Sequence, residues 1–292
     1  MNKIISIVLS SIALLVFALQ LGCGTKSNWE KCVSSDIDSA QTNVAFVSET
    51  EAFSAGYGGA THYSADGGKS WKKGVNETVC RYAIDVMPDG KFVHAGRGGT
   101  VGISNDKGKT WSILPTLLSD NVTLVSFSSE QEGYVVTKKS EIYNTKDGGV
   151  SWNPVKKPAS SKFLAIKSNN ENEICLVDNK GNFLYSNNNG ENWETKPIIS
   201  VEKCSFIEDY ESCMASIQYA DNNIKVAVLM PSSENNDGGV LIVSTSNNFE
   251  SMKSEVIRSD GVSFMSKVFI ENSGQLITVN NGNNAEAYRN KM

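Results

Sequence analysis

Three aspartates and one asparagine recur in a single setting, Ser/Thr-x-Asp-x-Gly-x-x-Trp: Asp66, Asp106, Asp147 and Asn188. A carboxylate held in a tight turn is a residue type that can ligate calcium, but a calcium site needs six or more oxygens and each turn offers one carboxylate. The chemistry left to these residues is structural: Asp or Asn accepts hydrogen bonds from backbone N–H groups just ahead of it and so holds a turn. His62 and His94 are the only histidines. Each falls on an expected strand, without the paired spacing of metal ligands, and reads as a strand histidine with ordinary hydrogen bonds. No phosphate-binding loop, nucleophile elbow or dinucleotide fingerprint is present. The chain is therefore expected to hold no catalytic residue, metal or cofactor, and enzymatic activity is not expected.

The elements that position these turns follow from the tryptophans. Trp29, Trp71, Trp111, Trp152 and Trp193 are spaced by 42, 40, 41 and 41 residues, a period that marks a repeat architecture. Four of them close the turn motif. Short runs of strand formers precede each turn, such as Thr61-His62-Tyr63 and Asn182-Phe183-Leu184-Tyr185. Each Trp is read as the start of a further strand, and is large enough to fill the wedge between neighbouring units. Two more strands lie upstream in every unit. Four short strands per unit of this length is the signature of a β-propeller blade.

A fifth unit ends in a decayed turn, Thr245 to Met252, and a sixth has only three strands before the chain stops. Asn28-Trp29-Glu30-Lys31 matches Asn192-Trp193-Glu194-Thr195. The N-terminal segment is thus expected to supply the missing strand and leave no open edge at the seam. The expected fold is all-β: a six-bladed β-propeller of four-stranded blades over residues 29–292, its last blade closed by the N-terminal strand.

The repeated motif resembles the Asp-box, or BNR repeat, of sialidases, sortilin-type receptors and photosystem II assembly factors. Gly56-Tyr57-Gly58-Gly59 and Gly96-Arg97-Gly98-Gly99 precede the first two boxes as they do in the assembly-factor type. That resemblance covers residues 43–193 best and implies a protein-binding propeller. It makes Asp66, Trp71, Asp106, Trp111, Asp147, Trp152, Asn188 and Trp193 structural. Sialidases share the ring and the boxes, and that resemblance implies an arginine triad. Arg81 and Arg97 stand near its first two segments, but Tyr82 and Ala83 replace the Ile-Pro that should follow the first arginine. No Asp lies between Asp89 and Asp106, where the acid is expected.

Residues 1–22 carry Lys3 and a long apolar run, which reads as a secretory signal. The run ends Leu19-Gln20-Leu21-Gly22-Cys23, which resembles a bacterial lipobox, with Gln20 where an aliphatic residue is usual. Cys23 would then be the lipidated N-terminus, and residues 23–28 a tether of under ~20 Å. Gly24 in place of Asp favours sorting to an outer membrane. The expected location is extracytoplasmic, anchored to a bacterial membrane and facing periplasm or exterior. An exported chain can form disulfides. Cys204 and Cys213 would staple one long inserted loop, Cys32 with Cys80 is a further pairing, and buried or free thiols are the alternative. Cys175 reads as a core residue.

The full chain has net charge −5, which argues against nucleic acid as a partner. Loops joining second to third strands, and blade to blade, gather on the face opposite the boxes, and loops on a rigid scaffold are where binding usually resides. This places Tyr57, Arg97, Lys138, Lys139 and Lys180 on one face as candidate ligand-binding residues. Tyr210, in the Cys204–Cys213 loop, joins them. Two functions are carried forward: a membrane-tethered scaffold that binds another protein at the membrane surface, and a carbohydrate-binding or glycoside-hydrolase-like surface protein. The chain is expected to be a monomer.

Overall fold

The computed structural model describes residues 29–31, 41–198 apart from 49, 57, 58, 60, 75–79, 117, 160, 161, 170 and 171, and then 215–220, 223–230, 239–246, 252–258, 267–270, 276–280 and 286–290. The leader, Cys23, the tether, Cys32, Tyr57, and the loop with Cys204, Tyr210 and Cys213 lie outside the described residues, as does the segment 231–238.

After the short strand β1 (Trp29–Lys31) come four blades in succession. They are β2 (Gln41–Phe46), β3 (Ala52–Gly56), β4 (Thr61–Ser64) and β5 (Lys72–Lys73); β6 (Arg81–Val86), β7 (Phe92–Gly96), β8 (Val101–Ser104) and β9 (Ser112–Ile113); β10 (Val122–Phe127), β11 (Gly133–Thr137), β12 (Ile142–Thr145) and β13 (Asn153–Val155); and β14 (Phe163–Asn169), β15 (Glu173–Asp178), β16 (Asn182–Ser186) and β17 (Glu194–Pro197). A fifth blade has longer strands: β18 (Ala215–Ala220), β19 (Asn223–Met230), β20 (Gly239–Ser246) and β21 (Met252–Arg258). Then follow β22 (Lys267–Ile270), β23 (Leu276–Asn280) and β24 (Glu286–Asn290). All neighbours pair antiparallel.

Five sheets are blades of four consecutive strands. The remaining four-stranded sheet is a composite with order β1-β24-β23-β22, in which Trp29 lies opposite Asn290 and Lys31 opposite Tyr288. The expectation of six blades is corrected: the chain forms five blades of four consecutive strands, and the remaining sheet is a composite that joins the two ends of the described chain. Only three strands follow β21, so β1 takes the outer position. The first strands β2, β6, β10, β14, β18 and β22 touch in sequence, and β22 also touches β2, which closes the ring.

Burial follows position in the blade. The second strands β3, β7 and β11 are buried at every residue, because a neighbouring blade covers each face. The outer strands β5 and β9 are fully exposed. In the first four blades the innermost strand slips register at its start, between Gln41 and Asn43, Arg81 and Ala83, Val122 and Leu124, and Phe163 and Ala165. A bulge of this kind bends a strand, and here it recurs at one level of the ring. The structure corrects one local expectation. The outer strands begin one residue after the Trp, at Lys72, Ser112, Asn153 and Glu194.

Candidate binding face and axial channel

The boxes are hydrogen-bonded turns. In the first, Ser64 Oγ donates to Asp66 Oδ1 at 2.8 Å and accepts from Gly68 N at 2.8 Å. Asp66 also accepts from Ser70 N at 2.9 Å and Ser70 Oγ at 2.6 Å. The second and third boxes repeat this with Thr110 and Ser151 on Asp106 and Asp147. In the fourth, Asn188 Oδ1 accepts from Ser186 Oγ and Asn192 N. The Ser70 hydroxyl and amide hold Asp66 down at about 2. For Asp106, burial opposes the shift, and the Thr110 and Ser104 bonds outweigh it to give about 2. The side-chain oxygens of Asp66, Asp106, Asp147 and Asn188 are thus all engaged within their own turns. Among the described residues no cluster of three or more His, Cys, Asp or Glu could hold a metal ion.

The tryptophans differ in what they reach. Trp71 and Trp152 donate Nε1 to the carbonyl of their own box glycine, Gly68 at 2.9 Å and Gly149 at 3.0 Å. Trp193 donates instead to Lys156 O of the preceding blade at 2.9 Å. Trp111 lies in a cluster of other rings: 5.3 Å from Phe53, and 4.6 Å edge-on to His94. The Arg81 guanidinium sits 5.5 Å over its face. Arg81 is wholly buried and donates Nη1 to Gly59 O at 2.6 Å. It is a wedge between the first two blades and is not presented to a substrate carboxylate, which removes the first arginine of a sialidase-like triad. His94 corrects a further expectation. Its ring nitrogens have no hydrogen-bond partner among the described residues. Burial, and secondly the Arg81 charge, push its pKa down to about 3.

Six first strands line an axial channel of about 130 Å³, mostly with Val, Ala, Ile and Leu. Its charged residues are Asp85 and Lys167. Lys167 Nζ donates to Asp85 Oδ1 at 2.9 Å, while Asp85 Oδ2 accepts from Phe127 N at 3.0 Å. The next pair of blades is joined in the same way: Ser126 Oγ accepts from Ser168 N at 3.0 Å, and further round Ser216 Oγ accepts from Ile270 N at 3.2 Å. Sequence reading missed these stitches. One signal was available, since Ala83-Ile84-Asp85 and Ala165-Ile166-Lys167 place opposite charges in the same slot of two units. At the box-side end the channel widens into a cavity of about 260 Å³ between Met87, Pro88, Phe127, Asn169 and Tyr219. Cys175 is buried in β15, and burial first, against a bond with Tyr219 Oη at 3.0 Å, pushes its thiol up to about 12.

The described candidate residues Arg97, Lys138, Lys139 and Lys180 are all exposed. They occupy the connections between second and third strands of three successive blades, on the face opposite the boxes. The turns are tied down. Arg97 N donates to Cys80 O, and Gly98 N to Asn121 Oδ1 at 2.9 Å. Lys138 N donates to Asn121 O at 2.8 Å, and Lys139 N to Asp120 Oδ2 at 3.1 Å. Asn121 thereby joins the Arg97 turn to the Lys138 turn. In the next blade buried Asp178 accepts from Lys180 N and Asn182 N.

With this geometry, the family follows from a match to the model described as "Sortilin, neurotensin receptor 3", which covers residues 99–284. The chain belongs to the Sortilin-Vps10 family. A BNR/Asp-box repeat is matched at residues 62–73, the first box hairpin. Among curated relatives, this Sortilin-Vps10 member is 23% identical over 223 residues to the photosystem II assembly lipoprotein Ycf48 of Synechococcus sp. (strain CC9902). The match covers 71% of this chain and 66% of that protein, just under two thirds of the relative's length. Similar solved structures include YCF48 bound to D1 peptide, at 14% identity and TM-score 0.51, covering 92% of this chain and 96% of that one. YCF48 from Cyanidioschyzon merolae has 15% identity and TM-score 0.54, with 90% and 85% covered. The RRP9 WD40 repeats have 10% identity and TM-score 0.61, with 90% and 97% covered. At these identities the structures establish the propeller fold alone.

Proposed function

We propose that the chain is an exported, membrane-tethered propeller that binds a segment of a partner protein and serves as a scaffold in the assembly of a membrane complex. The observation that carries this reading is the face opposite the boxes. Arg97, Lys138, Lys139 and Lys180 project there from turns fixed by Asn121, Asp120 and Asp178, so a cationic rim is pre-organised before a partner arrives. An acidic or carboxylate-bearing protein segment suits it. The relative named an assembly lipoprotein, and the related propeller solved with a peptide, support the same reading. Tethering is supported by the lipobox-like Leu19-Gln20-Leu21-Gly22-Cys23.

The carbohydrate reading gains less. A glycosidase of the common kind needs two carboxylates about 5–10 Å apart. Asp85 is the only carboxylate among the described residues lining the two axial cavities, and it is engaged by Lys167 and Phe127 N. Affinity capture from detergent-solubilised membranes tests the proposal, comparing the wild type with Lys138→Glu/Lys139→Glu/Lys180→Glu. A partner retained by the wild type and lost by the variant supports it. Equal recovery by both, or no partner together with specific binding on a glycan array, refutes it.

A further inference from the structure

The outer edges of the propeller are not alike. β5 and β9 are two residues long, β13 has three and contains Pro154, β17 has four and ends at Pro197, and β1 has three. Short edge strands and edge prolines are two of the devices by which sheets avoid pairing with other chains; exposed edge charges are a third, and they block pairing unless the incoming strand sets an opposite charge against them. β21 carries neither of the first two. It is seven residues long, free of proline, and the terminal strand of its sheet. All seven residues pair with β20, from Thr245 opposite Met252 to Gly239 opposite Arg258. Alternate backbone groups along β21 must then point outward. Met252 and Val256 are 42% and 50% exposed, and Lys253 and Glu255 are exposed between them.

The order of these residues is self-complementary. An antiparallel partner strand related by a two-fold axis at Ser254 sets Met252 opposite Val256 and Lys253 opposite Glu255, each twice. The apolar pairs share one face of the joined sheet and the ion pairs the other, because side chains alternate. Moving the axis one residue either way sets Lys253 or Glu255 opposite its own copy, a like-charge contact that disfavours pairing. Opposed residues must share the same outward or inward orientation of their backbone groups, so no half-step register is available.

We propose that β21 is a homodimerisation edge, pairing antiparallel with β21 of a second copy about a two-fold axis at Ser254. The fifth-blade sheets of two molecules then form one continuous sheet, an isologous contact of the commonest oligomer symmetry. The proposal differs from the monomer expected from the sequence. The edge lies on the perimeter of the ring, so the cationic rim and both ends of the channel stay open in the dimer. The inference does not depend on the proposed function.

Cysteine crosslinking of the purified full-length protein tests the pairing and its register. Opposed residues of an antiparallel pair have Cα atoms about 4.5–5.5 Å apart, within disulfide range. Two copies of residue 252 would stand four steps apart along the strand, about 13 Å, beyond that range. Under mild oxidation Ser254→Cys should give a reducible dimer several-fold above the wild-type background set by the native cysteines, and Met252→Cys should not. Adding Lys253→Glu to Ser254→Cys should abolish the dimer, and adding Glu255→Lys as well should restore it. Far-ultraviolet circular dichroism of each purified variant checks that the fold is retained. Crosslinking at the wild-type level in folded Ser254→Cys protein, equal crosslinking at 252 and 254, or indifference to Lys253→Glu would each overturn the proposal.

Discussion

Lys167 Nζ lies 2.9 Å from Asp85 Oδ1, reaching from the fourth blade to the second past β10. The same carboxylate accepts from Phe127 N of the third blade, so one side chain ties three blades at the channel wall. Both partners are largely buried. Removing Asp85 leaves an ammonium and an amide without their acceptor in a mostly apolar channel. Asp85→Ala is expected to cost about 3 kcal/mol, at the low end for breaking a buried pair because some solvent reaches it. Asp85→Ala/Lys167→Met should recover part of that loss by removing the orphaned charge. Urea unfolding followed by tryptophan fluorescence checks both; a double variant no more stable than the single would show that Lys167 finds another partner.

The boxes offer an internal control for their own mutation. Asn188 occupies the place of Asp66 and keeps the Ser186 Oγ and Asn192 N bonds. Asp66→Asn should therefore be mild, losing chiefly the bond from Ser70 Oγ to the second oxygen. Asp66→Ala loses every acceptor and should cost about 1 kcal/mol, like the loss of a helix N-cap side chain. The pH dependence has a definite sign. A carboxylate whose folded pKa is lowered contributes fully above its unfolded value near 3.8 and loses that contribution as pH falls toward about 2. Wild type should lose stability across that window more steeply than Asp66→Asn, as thermal melts at a series of acid pH values would register.

How far the fold could be read in advance follows from the range of the interactions. A box closes within eight residues, from Ser64 to Trp71, so its pattern survives in the sequence and repeats with the blade. The join of β1 to β24 was legible because Trp29 and Glu30 copy the Trp193–Glu194 context. The stitches between blades were not. Asp85 meets Phe127 and Ser126 meets Ser168 at a separation of 42 residues, and a lone polar residue in an apolar strand looks the same whether it is stitched or solvated. The Trp111 wedge was hidden for a related reason. The sequence makes all four box tryptophans equivalent, whereas Arg81 and His94 from strands of the same blade decide that this one stacks on them.

His94 should make the protein acid-sensitive well above the carboxylate range. Its folded pKa is lowered to about 3 from the ordinary imidazole value of about 6.5, first by burial and then by Arg81. The unfolded state therefore binds a proton that the folded state refuses. Stability is fully present above about pH 6.5 and falls as pH is lowered from there, by about 1.4 kcal/mol per unit for one proton. His94→Gln, which does not titrate, should flatten the slope between pH 6.5 and 5 while lowering stability at neutral pH through poorer packing against Trp111. Chemical denaturation at pH 7.5, 6.5, 5.5 and 5.0 separates the two effects. An unchanged slope in the variant would assign the acid sensitivity to another group.

Gly108 tests how tightly a box is wedged against the blade before it. Its φ is +81°, and a Cβ there would come 2.5 Å from the Phe53 ring. Phe53 is held in turn by Phe92, 5.0 Å away, and by Trp111 at 5.3 Å, and is 1% exposed, so the ring has nowhere to go. Gly108→Ala adds left-handed strain to an overpacked contact and is expected to cost about 2–4 kcal/mol. Gly90→Ala has a similar φ of +85°, with nothing within 4 Å of the added carbon, so it bears the strain alone, at about 1 kcal/mol. The difference between the two variants, read from denaturant midpoints at constant m-value, isolates the packing of one box on its neighbouring blade. Equal losses would mean that the Phe53 ring yields and that the blades are less tightly wedged than this contact indicates.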